Sequence, residues 1–291
     1  MANLQGDTRR QLGEAGLHPR KRFGQNFMVS ESAVERIIAV LRRGGSDSVI
    51  EIGSGLGTVT EKLISNFKNV YAVEVDRDLS ALLKKKFEGT GVTVIEQDIL
   101  DKDLFRELLG GIEGTYQVFG NLPYNIATRI ITDVLTEVTD GTRIVVTVQK
   151  EVGERMLASH GVRDYGILTA AIKLFYNARK LDVFEPAVFY PPPKIRSMLI
   201  ELVRARSNNI TGDEKLFFRV IKALFAQRRK KILNTLTGQA PHLEDKNTVA
   251  DLLKNAGIDP GRRPESLSLP ELAAVVGLVG MPASGGEKQG Q

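Results

Sequence analysis

Asn121-Leu122-Pro123-Tyr124 puts a side-chain amide, backbone carbonyls constrained by a proline and a flat aromatic ring within four residues. These groups suit a planar base held by its exocyclic amine, with acceptors for the amine hydrogens and a ring for stacking. The tetrapeptide ends the apolar run Tyr116 to Gly120, which reads as a buried strand. In an open α/β sheet ligands bind beyond the carboxyl ends of the strands, so this position suits a reaction pocket.

Upstream, Glu51-Ile52-Gly53-Ser54-Gly55-Leu56-Gly57 follows another apolar run and opens a helical pattern. Its glycines run G-x-G-x-G, whereas a turn that seats a pyrophosphate runs G-x-G-x-x-G. A cofactor without phosphates fits better. Glu74 ends the next run, about 20 residues on, where an acidic side chain binds ribose hydroxyls. Asp98, after the run beyond, is placed to accept from an adenine amino group. Taken singly, each has an ordinary structural explanation as a tight turn or a solvated strand end. All three at the ends of successive strands point to S-adenosyl-L-methionine.

The elements that position these residues are short apolar runs, Val49 to Ile52, Val70 to Val75, Val92 to Ile95, Tyr116 to Phe119 and Ile144 to Val148. They alternate with helical patterns, which predicts an α/β fold with a mainly parallel, helix-flanked, Rossmann-like sheet. A helix is expected from Ser32, which has capping-box spacing to Glu35, until Gly44-Gly45. After Lys150 the pattern predicts a helix over Leu168 to Tyr176 and strands near Leu181 and over Met198 to Val203. From Asp213 onward only helical periodicity remains. The expected organisation is a flexible leader over 1–20, a sheet domain over 21–206, a smaller all-helical domain over 207–280 and a disordered tail over 281–291.

Composition excludes several chemistries. The 291 residues include no cysteine, and the three histidines are scattered, so disulfides, thiolate nucleophiles and zinc sites are not expected. No run approaches the roughly 18 apolar residues of a membrane span, and the start lacks a signal-peptide core, which predicts a cytoplasmic protein. Net charge is +5, and residues 201–240 alone hold nine Lys/Arg against three Asp/Glu. The excess is therefore local. Within it, Arg228-Arg229-Lys230-Lys231 is read on a helix with its basic heads turned outward, a pattern that suits phosphate binding.

Five ordered motifs over residues 20–275 resemble the ribosomal RNA adenine N6,N6-dimethyltransferases. Lys21-Arg22-Phe23-Gly24-Gln25-Asn26-Phe27 resembles the family's cofactor-side motif, Asn121 to Tyr124 its catalytic tetrapeptide, and Phe189-Tyr190-Pro191-Pro192-Pro193-Lys194 its substrate-side loop. Phe225 to Lys230 and Arg263 to Ser268 resemble signatures of its helical domain. Met28, where leucine or histidine is usual, and Thr58, in place of a bulkier residue, are departures.

The resemblance implies that Gln25, Asn26, Met28, Gly53, Gly55, Glu74, Asp98 and Asn121 meet S-adenosyl-L-methionine. It implies catalysis by Asn121, Leu122, Pro123, Tyr124 and Phe189, with Tyr124 and Phe189 on opposite faces of the adenine. The Asn121 side-chain carbonyl and the Pro123 or Leu122 backbone carbonyl would accept the two amine hydrogens. Lys194, Arg196, Arg228, Arg229, Lys230 and Lys231 are expected on RNA. The implied partner is the small ribosomal subunit, met by a monomer that dimethylates adjacent adenosines near the 3′ end of its 16S RNA. Three alternatives compete: a large-subunit (23S) RNA methylase on the same motif, a non-catalytic nucleic-acid-binding factor, and a small-molecule or DNA amine methyltransferase.

Overall fold

The computed structural model describes residues 4–135, 138, 142–204 and 214–281. The chain divides into two compact units, one of Met1–Leu157 with Phe175–Ala205 and one of Ala158–Leu174 with Arg206–Gln291. Residues 158–174, expected with the sheet, thus join the carboxy-terminal helices. The boundary expected near 206–212 and the tail beyond Met281 lie outside the described residues.

Among the described residues the first unit has nine strands: β1 Phe27–Met28, β2 Ser48–Ile52, β3 Asn69–Glu74, β4 Val92–Glu96, β5 Tyr116–Asn121, β6 Arg143–Gln149, β7 Tyr176–Phe184, β8 Phe189–Tyr190 and β9 Ser197–Arg204. Seven form one sheet in the order β4-β3-β2-β5-β6-β9-β7, while β1 and β8 pair separately. The ladders from β4 to β6 are parallel, and β9 runs antiparallel to both its neighbours. Central β2 is buried at every position, which is why its sequence is continuously apolar around Glu51 rather than alternating. Strand order reverses between β2 and β5. The glycine turn leaves β2 and Asn121 ends β5, so both stand at the topological switch point, where ligands bind in such sheets.

Helix Glu31–Arg42 buries Val34, Ile37, Ile38 and Leu41 against the core. Its N-cap is Ser30, two residues ahead of the expected Ser32, because the Ser30 hydroxyl accepts from the Ala33 N–H at 3.4 Å. Ser32 Oγ instead lies 3.1 Å from Ser30 Oγ. The expected leader contains a helix, Leu4–Glu14, in which Thr8 and Leu12 are buried. Leu12 packs with Phe27, Leu56 and Leu79, and Arg9 sits 5.1 Å from the centroid of the Tyr190 ring. With only two buried positions, this helix carries too little apolar periodicity to be read from sequence.

In the second unit, helices Glu214–Ala226 and Leu269–Gly280 pack together through residues such as Phe217, Ile221, Leu272 and Val275. Helices Ile232–Leu236 and Lys246–Asn255 complete the core. The basic run is not helical: the helix ends at Ala226, and residues 227–231 form a turn closed by Lys230 N–H donating to the Gln227 carbonyl at 2.7 Å. Arg228 is drawn inward, where its guanidinium donates to the carbonyls of Arg163 at 2.7 Å and Tyr165 at 3.2 Å.

Ser268 and Glu271 form a capping box on the last helix, and Arg262 donates to the Glu271 carboxylate. The Arg262 guanidinium holds the Glu271 carboxyl well below its ordinary value, at about 2. A lowered folded-state value means stability that is present above about pH 4.5 and is lost as pH falls towards 2. Glu271→Gln is therefore expected to cost about 2 kcal/mol at pH 7 and progressively less towards pH 2. Thermal unfolding of both proteins across that range checks the convergence.

Candidate active site

The turn after β2 is built by glycine. Gly55 has φ of +59°, and a Cβ there would lie 3.0 Å from the Phe27 ring that covers it. The turn is tied to β3 by Gly53 N–H donating to the Val73 carbonyl at 2.8 Å. Glu74, at the end of β3, closes it further. Its buried carboxylate accepts from Gly55 N–H at 2.8 Å and from Asp76 N–H at 2.9 Å. Burial pushes the Glu74 pKa up, against those two backbone bonds.

Asp76 in turn accepts from Arg20 Nη1 at 2.6 Å and from Gln25 Nε2 at 2.8 Å. The other end of the Gln25 amide accepts from Arg20 N–H at 2.8 Å. Both ends of Gln25 are thus engaged within the protein, so the structure places it behind the site, where it fastens the amino-terminal segment to Asp76. Gly24, at φ of +62°, lets that segment close on the tetrapeptide: a Cβ would sit 3.3 Å from Pro123.

The tetrapeptide is fixed group by group. Asn121 Nδ2 donates to the Asn26 carbonyl at 2.9 Å, which leaves Oδ1 as the half of the amide available to a ligand. Leu122 is buried, and its N–H donates to the Thr147 carbonyl of β6 at 3.0 Å. Gly120 gives the Leu122 side chain its room, since a Cβ there would lie 2.7 Å from Leu122 Cδ2. The Pro123 carbonyl accepts from Ile126 N–H at 3.1 Å and Ala127 N–H at 2.9 Å, as the start of a helical turn. Both of its lone pairs are occupied, which corrects the expectation that Pro123 offers an acceptor. The Leu122 carbonyl accepts no hydrogen bond from the described residues. Tyr124 is half-buried with its hydroxyl 2.7 Å from Ser197 Oγ, and burial raises its pKa, so the phenol is neutral.

Two hollows meet at Gly53. One is mixed, with Asn26, Glu51 and Asn121 set among Met28, Phe27 and Phe119. The other is apolar, walled by Val75, Ile99, Pro123 and Ile130, with Asp98 exposed at its edge. Gln97 Nε2 is buried beside it without a hydrogen-bond partner. An apolar slot holding one orphaned donor and one carboxylate suits an adenine ring, which offers ring-nitrogen acceptors and an amino donor. The residues present therefore fit the nucleoside and amino-acid halves of S-adenosyl-L-methionine on either side of Gly53. Among the described residues, no group of His, Cys, Asp or Glu is arranged for a metal ion, and no helix is long and apolar enough to cross a membrane.

Phe189 lies apart from these hollows. It is 1% exposed, pairs with Met28 between β8 and β1, and packs with Phe119 and Phe184 in the core. The structure thus makes its ring a support beneath Met28, which corrects the expectation of an open wall over the base. Lys194 and Arg196 are exposed on the loop before β9, and Arg229, Lys230 and Lys231 are exposed in the basic turn.

A family model for ribosomal RNA adenine dimethylases matches residues 16–273. The chain belongs to that family. It is 40% identical over 275 residues to the ribosomal RNA small subunit methyltransferase A of Geobacter sulfurreducens, covering 93% of this chain and 98% of the relative. The enzyme of that name from Moorella thermoacetica is 39% identical over 279 residues, covering 93% and 96%. Among solved structures, a dimethyladenosine transferase from Plasmodium falciparum shares the fold with a TM-score of 0.68, 22% identity and coverage of 86% of this chain and 95% of that one.

In this dimethylase Glu51 faces the same hollow as Asn121, though sequence reading passed over it as part of the glycine motif. It is 2% exposed and accepts from the Thr60 hydroxyl. Burial pushes its pKa up to about 7, against the Thr60 bond. An apolar strand interrupted by one acid was the available signal. The folded protein holds the Glu51 proton between pH 4.5 and about 7, so this group lowers stability as pH rises through that window. Removing the acid with Glu51→Gln is expected to flatten the loss between pH 5 and pH 8, by on the order of 3 kcal/mol. Chemical denaturation at the two pH values measures it, and an unchanged slope would show that Glu51 titrates normally.

Proposed function

We propose that this protein transfers methyl groups from S-adenosyl-L-methionine to N6 of adenosines in small-subunit ribosomal RNA, giving N6,N6-dimethyladenosine. The observation that carries this reading is the pair of uncommitted acceptors at the end of β5, Asn121 Oδ1 and the Leu122 carbonyl. The cofactor supplies a methyl group made electrophilic by its sulfonium. Gln97 and Asp98 would hold its adenine, and Asn26, Met28 and Glu51 would surround its amino-acid end. Glu74, expected on the ribose, lines neither hollow and has both carboxylate oxygens taken by the Gly55 and Asp76 N–H groups, so it would act by holding the glycine turn. A cationic ammonium beside Glu51 favours the ionised carboxylate that burial otherwise opposes.

Adenine N6 is a poor nucleophile because its lone pair is delocalised into the ring. Two acceptors for its hydrogens favour the pyramidal nitrogen of the transition state and aim the lone pair outward. No base has to act first, because the N6 proton becomes acidic only once the nitrogen carries positive charge. Tyr124, neutral and held by Ser197, stacks on the base for about 1–3 kcal/mol. In the second round one N6 hydrogen remains, so a single acceptor is used while the first methyl occupies the other direction.

Lys194, Arg196, Arg229, Lys230 and Lys231 supply exposed cations for phosphates, whereas Arg228 braces the turn from within. The names of the relatives favour small-subunit RNA over the large-subunit alternative. The resemblance adds adjacent adenosines near the 3′ end of 16S RNA as the target; the working form is a monomer, and the composition favours the cytoplasm. The reading is tested with labelled cofactor, unmethylated small subunits and mass-spectrometric mapping of the product. Wild type is expected to form N6,N6-dimethyladenosine. Asn121→Ala is expected to slow single-turnover transfer by about 100- to 1,000-fold while cofactor affinity stays within about three-fold. Undiminished transfer by that variant would reject the mechanism, and methylation confined to large subunits would reject the substrate.

A further inference from the structure

A third hollow opens beyond β6, at the segment that precedes Ser197. It is an open groove of about 470 Å³, lined by Lys150, Glu154, Glu185, Lys194, Ile195 and Arg196 among others. Tyr124 is bonded to Ser197 at 2.7 Å, and the three residues before Ser197 are Lys194, Ile195 and Arg196. The far wall of the groove starts at Lys150, whose N–H donates to the Arg196 carbonyl at 3.0 Å and which directly follows β6.

The chemistry of the groove matches a nucleotide. Ile195 is 40% exposed, an unusual position for a large aliphatic side chain, and gives a base an apolar face. Three cations and three carboxylates, Glu151 among them, line the groove, and two pairs are matched: Arg196 Nε lies 3.0 Å from Glu185 Oε1, and Lys150 Nζ lies 3.1 Å from Glu154 Oε1. Lys194 makes no ion pair among the described residues. The Arg196 and Glu185 side chains are more than half exposed, so their pairing is weak and exchangeable. A backbone phosphodiester presents one negative charge on two non-bridging oxygens, the same two-point match to arginine that a carboxylate gives, and so exchanges with a solvated Glu185.

We propose that this groove seats the nucleotide flanking the reacting adenosine. Lys194 and Arg196 take its phosphate, Ile195 meets its base, and Glu185 is a latch that competes with the phosphate for Arg196. The proposal rests on the methyl-transfer reading given above and adds a site to it. A flanking nucleotide seated there fixes the strand on one side of the extruded base, so binding energy away from N6 contributes to its alignment.

The test measures binding of unmethylated small ribosomal subunits as a function of salt, with wild type, Lys194→Ala/Arg196→Ala and Glu185→Gln. The double variant is expected to bind about ten-fold more weakly, with a salt dependence shallower by about one phosphate contact. Glu185→Gln frees Arg196 and is expected to bind about three-fold more tightly. Cofactor affinity, measured in parallel, stays at the wild-type value and reports that each variant is folded. Unchanged subunit affinity in either variant overturns the groove while leaving methyl transfer standing. Wild type that leaves small subunits unmethylated overturns the functional reading itself.

Discussion

The hydrogen bond from Asn121 Nδ2 to the Asn26 carbonyl, at 2.9 Å, decides which half of one amide faces a ligand. An asparagine can present a donor or an acceptor, and an amine with hydrogens to place needs the acceptor. The bond supplies that choice in advance of any substrate, so no reorganisation is needed when charge develops on nitrogen. It also makes the catalytic strand end depend on the amino-terminal segment, because Asn26 is held there by Gly24, Gln25 and Arg20. The segment is therefore part of the active site through the backbone of one residue.

The second acceptor follows from the same logic of occupied groups. Proline at position 123 starts a helical turn, and its carbonyl is taken by the two N–H groups that follow. The Leu122 N–H is taken by β6. What remains is the Leu122 carbonyl, rigid because the buried side chain and the strand fix the peptide on both sides. Beneath, Glu51 and Glu74 place two buried carboxyls under a glycine turn, an arrangement that disfavours ionisation unless a cation arrives. A cofactor carrying both a sulfonium and an ammonium meets that requirement.

Much of this was legible in the residues. The parallel sheet followed from continuous apolar runs such as Val49 to Ile52, and the strand ends that carry the site from the glycine turn and the tetrapeptide that end two of those runs, whereas the reversal of strand order between them did not. What could not be read is which polar groups are already bonded inside the protein. Gln25 and Arg228 look like ligand-facing residues in sequence, yet their partners Asp76, Arg163 and Tyr165 come from distant segments. Phe189 is an aromatic in a substrate-side motif, and only the pairing of β8 with β1 turns it into the core. The amino-terminal helix escaped notice because two buried residues suffice once Phe27 and Leu56 offer a surface.

Asn121→Asp isolates the central constraint. The aspartate keeps the shape and the acceptor oxygens but has no N–H for the Asn26 carbonyl, which it repels instead. The decisive measurement is its single-turnover methyl-transfer rate on unmethylated small ribosomal subunits at saturating cofactor. A rate at least about 100-fold below wild type is predicted, because an acceptor without its tether is not aligned. A rate within about three-fold of wild type would contradict the account, since the acceptor alone would then suffice.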